Sequence, residues 1–301
     1  MRILVTDGMD KTAMAQLREM GHEVVEQFYE PDQLGAALKD FDAVVVRSKT
    51  KVRANHIDEA KTGKLKLIIR GGVGVDNIDV KYAESCGITV KNTPRASSQS
   101  VAELAMGHMF SCARYLSIAG HTMREDKWEK KAYGKGIELQ GKTLGIVGFG
   151  RIGQHLGIMA KAIGMKVIAF DIFHIPGIEE QLGIPYVEME ELLAQSDFVS
   201  VHAPAVDGGA LISAENIAKM KDGVVIINTS RGTNVDEAAL LAALESGKVR
   251  AAGLDVYADE PATNKALYSH PMVSCTPHIG AATVEAQKRI GSEIVDIIKN
   301  F

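Results

Sequence analysis

Three ionisable residues stand where a reaction could be run. Arg231 lies in Asn228-Thr229-Ser230-Arg231-Gly232, just after an apolar run. Its planar fork suits bidentate binding of a carboxylate and a carbonyl, although a surface salt bridge is the plainer use of such an arginine. His278 lies in Thr276-Pro277-His278-Ile279-Gly280. A lone histidine is more often structural, but one at a strand end facing a bound cofactor is suited to shuttle a proton. Glu260 precedes Pro261, a pair that could equally mark only a turn. If Glu260 accepts a hydrogen bond from His278, it favours the imidazolium. Spacing alone does not bring these side chains together.

The cofactor is indicated by a stretch upstream, Lys142 to Asp171. Leu144–Val147 is a short apolar run, as a buried strand requires. Gly148, Gly150 and Gly153 follow in G-x-G-x-x-G spacing, then a helical pattern to about Ile163 and a second apolar run, Lys166–Phe170. The first glycine permits a tight turn, the second lets a pyrophosphate approach the backbone, and the third lets the helix pack on the strand. The helix N-terminus offers free N–H groups to phosphates. Asp171, 18 residues after Gly153, can accept from ribose hydroxyls. A glycine-rich turn alone is weak evidence, but strand, helix and acid in this order make a dinucleotide site. The acid favours NAD over NADP, since Ile172, Phe173 and His174 supply no cation for a 2′-phosphate.

These residues need elements to hold them. The 301 residues suggest two domains, and 46% hydrophobic content gives each a core. Residues 1–92 alternate apolar runs (Ile3–Val5, Glu23–Val25, Ala43–Val46, Leu67–Ile69, Ile88–Val90) with helical patterns such as Lys11–Met20 and Ala54–Lys61. Such alternation means a parallel sheet covered on both faces. Thr93-Pro94 marks a break. A long helix is expected from Val101 to about Ile118, and a second around Trp128. Beyond Lys142 the alternation resumes, with strands expected at Phe198–His202, Val224–Asn228, Ala251–Asp255 and Val273–Cys275. Helices are expected at Ser213–Met220, Asp236–Ser246 and Ala281–Lys299. The fold class is therefore α/β with two doubly wound parallel sheets, and a cleft between two such units is a usual small-molecule site. Ligands gather at the C-terminal edge of open parallel sheets. His202, Pro204, Thr229, Arg231, Asp255, His278 and Gly280 thus join Gly148, Gly150, Arg151, Ile152, Gly153 and Asp171 as the expected cofactor-binding set.

The net charge of −4 offers no general attraction to nucleic acid or anionic membrane. No apolar run approaches a membrane span. MRILVTDG enters a strand without a secretory pattern. Cys86, Cys112 and Cys275 are scattered, in no metal spacing, and read as reduced thiols of a cytoplasmic protein. Cys275 is expected to be a small buried residue near the site.

GFGRIG, Asp171, NTSRG, GLDVYADEP and TPHIG, in this order over nearly the whole chain, resemble the D-isomer-specific 2-hydroxyacid dehydrogenase family. The resemblance implies a Rossmann NAD-binding domain (93–280) inserted in a flavodoxin-like substrate domain (1–92 and 281–301). It also implies the catalytic roles of Arg231, Glu260 and His278, places Asp255 on the nicotinamide side of the cofactor, and suggests a homodimer through the NAD-binding domain. VVVRSKTKV, IIRGGVGVDNID, VKNTP, EKKAY and GAATVEAQ are similar to the D-3-phosphoglycerate dehydrogenase branch. That likeness implies serine biosynthesis, with the N–H groups of Gly72-Val73-Gly74 on the substrate carboxylate and Arg47 and Arg70 near the phosphate. Taken alone, Arg47, Lys49, Lys51, Arg53 and Arg70 could be a solvated cationic face.

Two departures stand out. The branch's Arg-Gly-Gly is Arg231-Gly232-Thr233 here, so the loop is expected to sit slightly differently. The chain stops at Phe301, so serine feedback through a C-terminal regulatory domain is not expected. The alternatives are a reductase of hydroxypyruvate, glyoxylate or another 2-keto acid, and an NAD-sensing corepressor-like binding protein.

Overall fold

The computed structural model describes residues 1–206 and 208–301. Contacts divide it into two units, Met1–Ser97 with Ala281–Phe301, and Ser98–Gly280. Residues 93–97 therefore group with the first unit, not the second. The Thr93 N–H donates to the Gly72 carbonyl at 3.0 Å, Ala96 lies in the first unit's core, and its carbonyl accepts from Arg289 Nε at 2.8 Å. The Pro94 break precedes the true boundary because these contacts are tertiary and leave no local mark.

The first unit has five parallel strands: β1 (Arg2–Val5), β2 (Glu23–Glu26), β3 (Ala43–Val46), β4 (Leu67–Arg70) and β5 (Thr89–Asn92), in the order β2-β1-β3-β4-β5. One face packs against Lys11–Glu19 and the last helix, Val284–Lys299, through Met14, Leu17, Ile290 and Ile294. Leu34, Leu38, Ile57 and Ala83 cover the other face. Thr283 caps the last helix by accepting from the Ala286 N–H at 3.0 Å. That helix starts three residues later than its apolar pattern implied, because the cap needs extended backbone.

The second unit has six parallel strands: β6 (Thr143–Val147), β7 (Lys166–Phe170), β8 (Phe198–Val201), β9 (Val224–Asn228), β10 (Val249–Leu254) and β11 (Val273–Cys275), in the order β11-β10-β9-β8-β6-β7. β8 and β9 are buried at every position, as central strands covered on both faces must be. Each fully buried Val or Ile there contributes roughly 1.5–3 kcal/mol over an exposed one. Among the described residues an isolated bridge, Ala169 to Tyr186, extends the sheet beside β7.

The expected helix at 101–118 is two helices, Ser98–Arg114 and Leu116–Arg124, broken at Tyr115 with φ 59°. Left-handed backbone is costly for an aromatic residue and persists where its surroundings over-determine it. The Tyr115 hydroxyl lies 2.8 Å from Arg250 Nη2 and 3.2 Å from the Lys135 carbonyl. No helix forms around Trp128, which is 79% exposed in an irregular segment after Asp126 at φ 58°. Neither break carries a Gly or Pro that the sequence would announce. Among the described residues no helix is long and apolar enough to cross a membrane.

Candidate active site

The second sheet reverses its strand order between β6 and β8, the position where open parallel sheets form a crevice. The glycine turn sits at this point. Gly148 has φ +94°, and a Cβ on it would lie 2.6 Å from the Ala203 nitrogen. Gly150 meets nothing within 4 Å, which leaves its backbone open to a ligand. A Cβ on Gly153 would lie 2.5 Å from the Gly148 carbonyl oxygen, so the helix Arg151–Ala162 starts hard against the turn. Its first N–H groups have no intrahelical acceptor. Arg151 is exposed and Ile152 partly buried.

Asp171 follows β7 directly. Its Oδ2 accepts from the Phe149 N–H at 2.7 Å and its Oδ1 from the Phe173 N–H at 3.0 Å. A carboxylate has about four acceptor sites, so two remain for ribose hydroxyls. At the ends of β8 and β9, His202 Nδ1 and Thr229 Oγ1 are buried with no partner among the described residues. His202 Nε2 lies 2.8 Å from Ser200 Oγ, and burial pushes the imidazole pKa down to about 3, so the ring is neutral. Pro204 is exposed just beyond. Open backbone at Gly150, an acid with spare acceptor sites and two orphaned polar atoms fit a dinucleotide along this edge.

Two alanine substitutions separate binding from folding. Gly150→Ala fills only open space, so Tm stays near the parent's while cofactor affinity drops about tenfold or more, roughly 1.4 kcal/mol. Gly148→Ala overpacks the turn at a cost of about 1–3 kcal/mol. It lowers Tm as well. Thermal melts with and without cofactor check both, and equal melting of the two variants would contradict the assignment.

The ionisable residues occupy the same edge. His278 lies three residues past β11, at φ 54°. Its Nδ1 is 2.7 Å from Glu260 Oε2, so the two side chains that spacing could not join do meet. Their side chains remain 36% and 38% exposed. Burial raises the Glu260 pKa, but the bond from His278, the imidazole charge, the Tyr257 N–H and Arg231 outweigh it and hold the carboxyl below its ordinary value. With Glu260 ionised, Nδ1 carries a proton and Nε2 is left to accept one.

Arg231 is brought to this pair by backbone packing. A Cβ on Gly232 would lie 1.8 Å from the Tyr257 carbonyl oxygen, so the Arg231 loop and the loop leading to Glu260 touch through a glycine. Asn228 Nδ2 donates to the Arg231 carbonyl at 2.8 Å, and Arg231 Nη1 donates to the Ser230 carbonyl at 2.7 Å. Thr233 is exposed in a short 3-10 turn, so the second glycine of the expected pair has no steric role here. Asp255 is 1% exposed, and both its oxygens are engaged. Oδ1 accepts from Thr276 Oγ1 at 2.6 Å and the Ile279 N–H at 2.8 Å, while Oδ2 accepts from the Gly280 N–H at 2.8 Å. Asp255 therefore builds the loop that carries His278.

A pocket of about 430 Å³ adjoins His278 and Glu260, walled by Tyr257, Pro261, Tyr268 and Cys275. Cys275 is exposed rather than buried. It ends the edge strand β11, where its alternation partner Ser274 faces inward and Cys275 faces the pocket. Tyr257, Thr276 and Asn228 were not singled out from the sequence. Each lies inside one of the quoted motifs, which is the signal that marked its stretch but gave it no role of its own.

In the first unit, Arg47 directly follows β3 and Arg70 ends the adjacent strand β4. Arg47 Cγ would be 3.7 Å from a Cβ on Gly71, and a Cβ on Gly72 would fall 1.3 Å from Arg70 Nη1. Both cations thus flank the glycine turn, with Val73 exposed and Gly74 partly buried after it. Burial lowers the Arg47 pKa, and Asp7 opposes this. Arg53 instead pairs with Asp79 at 2.9 Å, and Lys49 lies 3.8 Å over the Phe28 ring. The five cations of this region are therefore not one solvated face.

Residues 106–280 match the family model for the D-isomer specific 2-hydroxyacid dehydrogenase, NAD binding domain. The hydroxypyruvate reductase of Thermotoga maritima is 49% identical over 99% of this chain and 97% of its own. The D-3-phosphoglycerate dehydrogenase of Methanocaldococcus jannaschii is 44% identical over 99% of this chain, which spans 57% of that enzyme's length. Among solved structures, a glyoxylate reductase from Paecilomyes thermophila superposes with a TM-score of 0.89 at 32% identity, covering 99% of this chain and 94% of that one.

Proposed function

The chain belongs to the D-isomer specific 2-hydroxyacid dehydrogenase family, and on that premise we propose that Arg231, Glu260 and His278 interconvert a short 2-hydroxy acid and its 2-keto acid. The observation that carries this is the 2.7 Å bond from His278 Nδ1 to Glu260, at the sheet edge that holds the dinucleotide turn. NAD, when bound, accepts or returns the hydride. Gly148, Gly150 and the N-terminus of Arg151–Ala162 hold its phosphates, and Asp171 holds a ribose. Arg231 grips the substrate carboxylate and polarises the C2 oxygen. In oxidation His278 Nε2 takes the hydroxyl proton as the C2 hydrogen departs with its electron pair. In reduction the protonated ring returns that proton to the ketone oxygen. Glu260 keeps the proton on Nδ1 and fixes the ring plane.

Two substrates have support. D-3-phosphoglycerate, and with it a place in serine biosynthesis, is supported by Arg47 and Arg70 beside the Gly72 turn, a place for a phosphate. Hydroxypyruvate is supported by the Thermotoga relative, matched over nearly its full length. The deciding experiment follows NADH absorbance with 3-phosphoglycerate, hydroxypyruvate, glyoxylate and D-lactate, using the parent, Arg47→Ala and Arg70→Ala. A phosphate role predicts that either variant raises KM for the phosphorylated acid about tenfold or more, roughly the 1.5–3 kcal/mol of a charged hydrogen bond, and hardly affects the bare acids. Equal effects on both classes favour the reductase. Silence with every acid, with NAD bound, points to a binding protein.

A further inference from the structure

His278 sits in a conformation that few side chains adopt unaided, at φ 54°. Something must hold it there. Its N–H donates to the Asp255 carbonyl at 2.8 Å, and the next two N–H groups donate to the Asp255 carboxylate at 2.8 Å each. Asp255 in turn is tied, through Thr276 and His108, to the helix Ser98–Arg114. Thr276 Oγ1 donates to Asp255 Oδ1 at 2.6 Å, because a carboxylate can only accept. With its own proton spent, Thr276 Oγ1 must accept from His108 Nε2 at 3.1 Å. His108 Nδ1 lies 3.0 Å from Ser274 Oγ, on the strand before the loop. A neutral ring with its proton on Nε2 satisfies every contact, with Ser274 donating to Nδ1. Burial lowers the His108 pKa, opposed by Asp255, which agrees with a neutral ring.

The slot is built for this ring. His108 is 3% exposed, in the helix Ser98–Arg114. A Cβ on Gly253, in β10, would lie 2.5 Å from His108 Cβ and 3.0 Å from its Cγ, so the side chain packs against a strand position that tolerates no side chain of its own. The Tyr257 hydroxyl bonds the Thr276 carbonyl at 3.1 Å from the other side.

We propose that His108 is a positioning residue for the reaction: through Thr276 and Asp255 it sets the backbone of the loop that presents His278. This rests on the acid–base reading of His278 given above. His108 touches no reacting atom, and its effect reaches the chemistry only through loop geometry, where a displacement of about 1 Å can cost up to about a hundredfold in rate.

The test compares His108→Leu, His108→Gln, Thr276→Val, Thr276→Ser and the double variant His108→Leu/Thr276→Val. His108→Leu and Thr276→Val each lower kcat about tenfold with little change in KM for NAD. His108→Gln, whose amide can still donate to Thr276, recovers kcat to within about threefold of the parent. The double variant is no slower than Thr276→Val alone, since both substitutions break one chain. Hydrogen exchange in a peptide spanning 276–280 is faster in both leucine and valine variants, while the Ser98–Arg114 helix stays protected. Parent-like kcat in His108→Leu, or additive losses in the double variant, overturns the proposal. If His108→Leu does not fold, Thr276→Val against Thr276→Ser reads the same chain: a slow valine and a near-normal serine variant support it, and two equal variants overturn it. His278→Asn is run alongside. If it keeps full turnover, the acid–base assignment falls and the positioning role with it. If it is slow while His108→Leu is not, positioning alone falls.

Discussion

Replacing His278 by asparagine is expected to lower turnover by about 10²–10⁴-fold, roughly 2.7–5.5 kcal/mol of barrier. Asparagine is the informative substitution because it tolerates left-handed backbone, so the loop at φ 54° keeps its shape. It also removes Nε2, the ring nitrogen opposite the Glu260 bond. In the proposed reading cofactor binding rests on Gly150 and Asp171, so it is expected to stay within about twofold of the parent, well under the 1.4 kcal/mol of a tenfold change. Stopped-flow or steady-state NADH absorbance measures the first quantity and cofactor fluorescence the second. A variant with near-parent turnover removes His278 from the mechanism.

The second large effect belongs to Arg231. Arg231→Lys keeps a positive charge and loses the planar fork, and kcat/KM for any 2-hydroxy acid is expected to fall about 10²–10³-fold. Both parameters are expected to worsen, because in the proposed mechanism the same guanidinium binds the carboxylate and steadies charge on the C2 oxygen as it develops. Stability should change little: the loop is held by the Asn228 bond to the Arg231 carbonyl and by Gly232 under Tyr257, which are backbone features. A loss confined to KM reduces Arg231 to a binding residue. A loss of Tm matching the loss of activity makes it structural.

Much of this was legible in the amino-acid order because it is local physics. All eleven strands expected from the apolar runs, from Ile3 to Cys275, lie within two residues of those runs. A buried parallel strand must be apolar on both faces, so it announces itself. The glycine spacing was equally direct, since Gly150 faces open space and Gly153 meets Gly148 within one strand–turn–helix unit, although the contact that demands Gly148 comes from Ala203 after β8. The motif residues Arg231, Glu260 and His278 stood out because polar groups follow strand ends only where a sheet edge receives them.

What the order of residues did not contain is what depends on atoms far apart in the chain. The Tyr115 break needs Arg250, 135 residues away, and no breaker residue marks it. The exposed thiol of Cys275 depends on which face of an edge strand meets the pocket. The Glu260–His278 bond spans 18 residues and joins two loops from different strands, and Gly232 lets the Arg231 loop reach the loop that carries Glu260. His108 is the extreme case: a histidine in an apolar helix reads as core, and 168 residues separate it from the threonine that gives it a role. Short-range pattern determines which elements form and which edge carries polar groups, because periodicity and steric fit act over a turn or a strand. The hydrogen bonds that aim those groups join separate elements, and only the packed tertiary structure decides them.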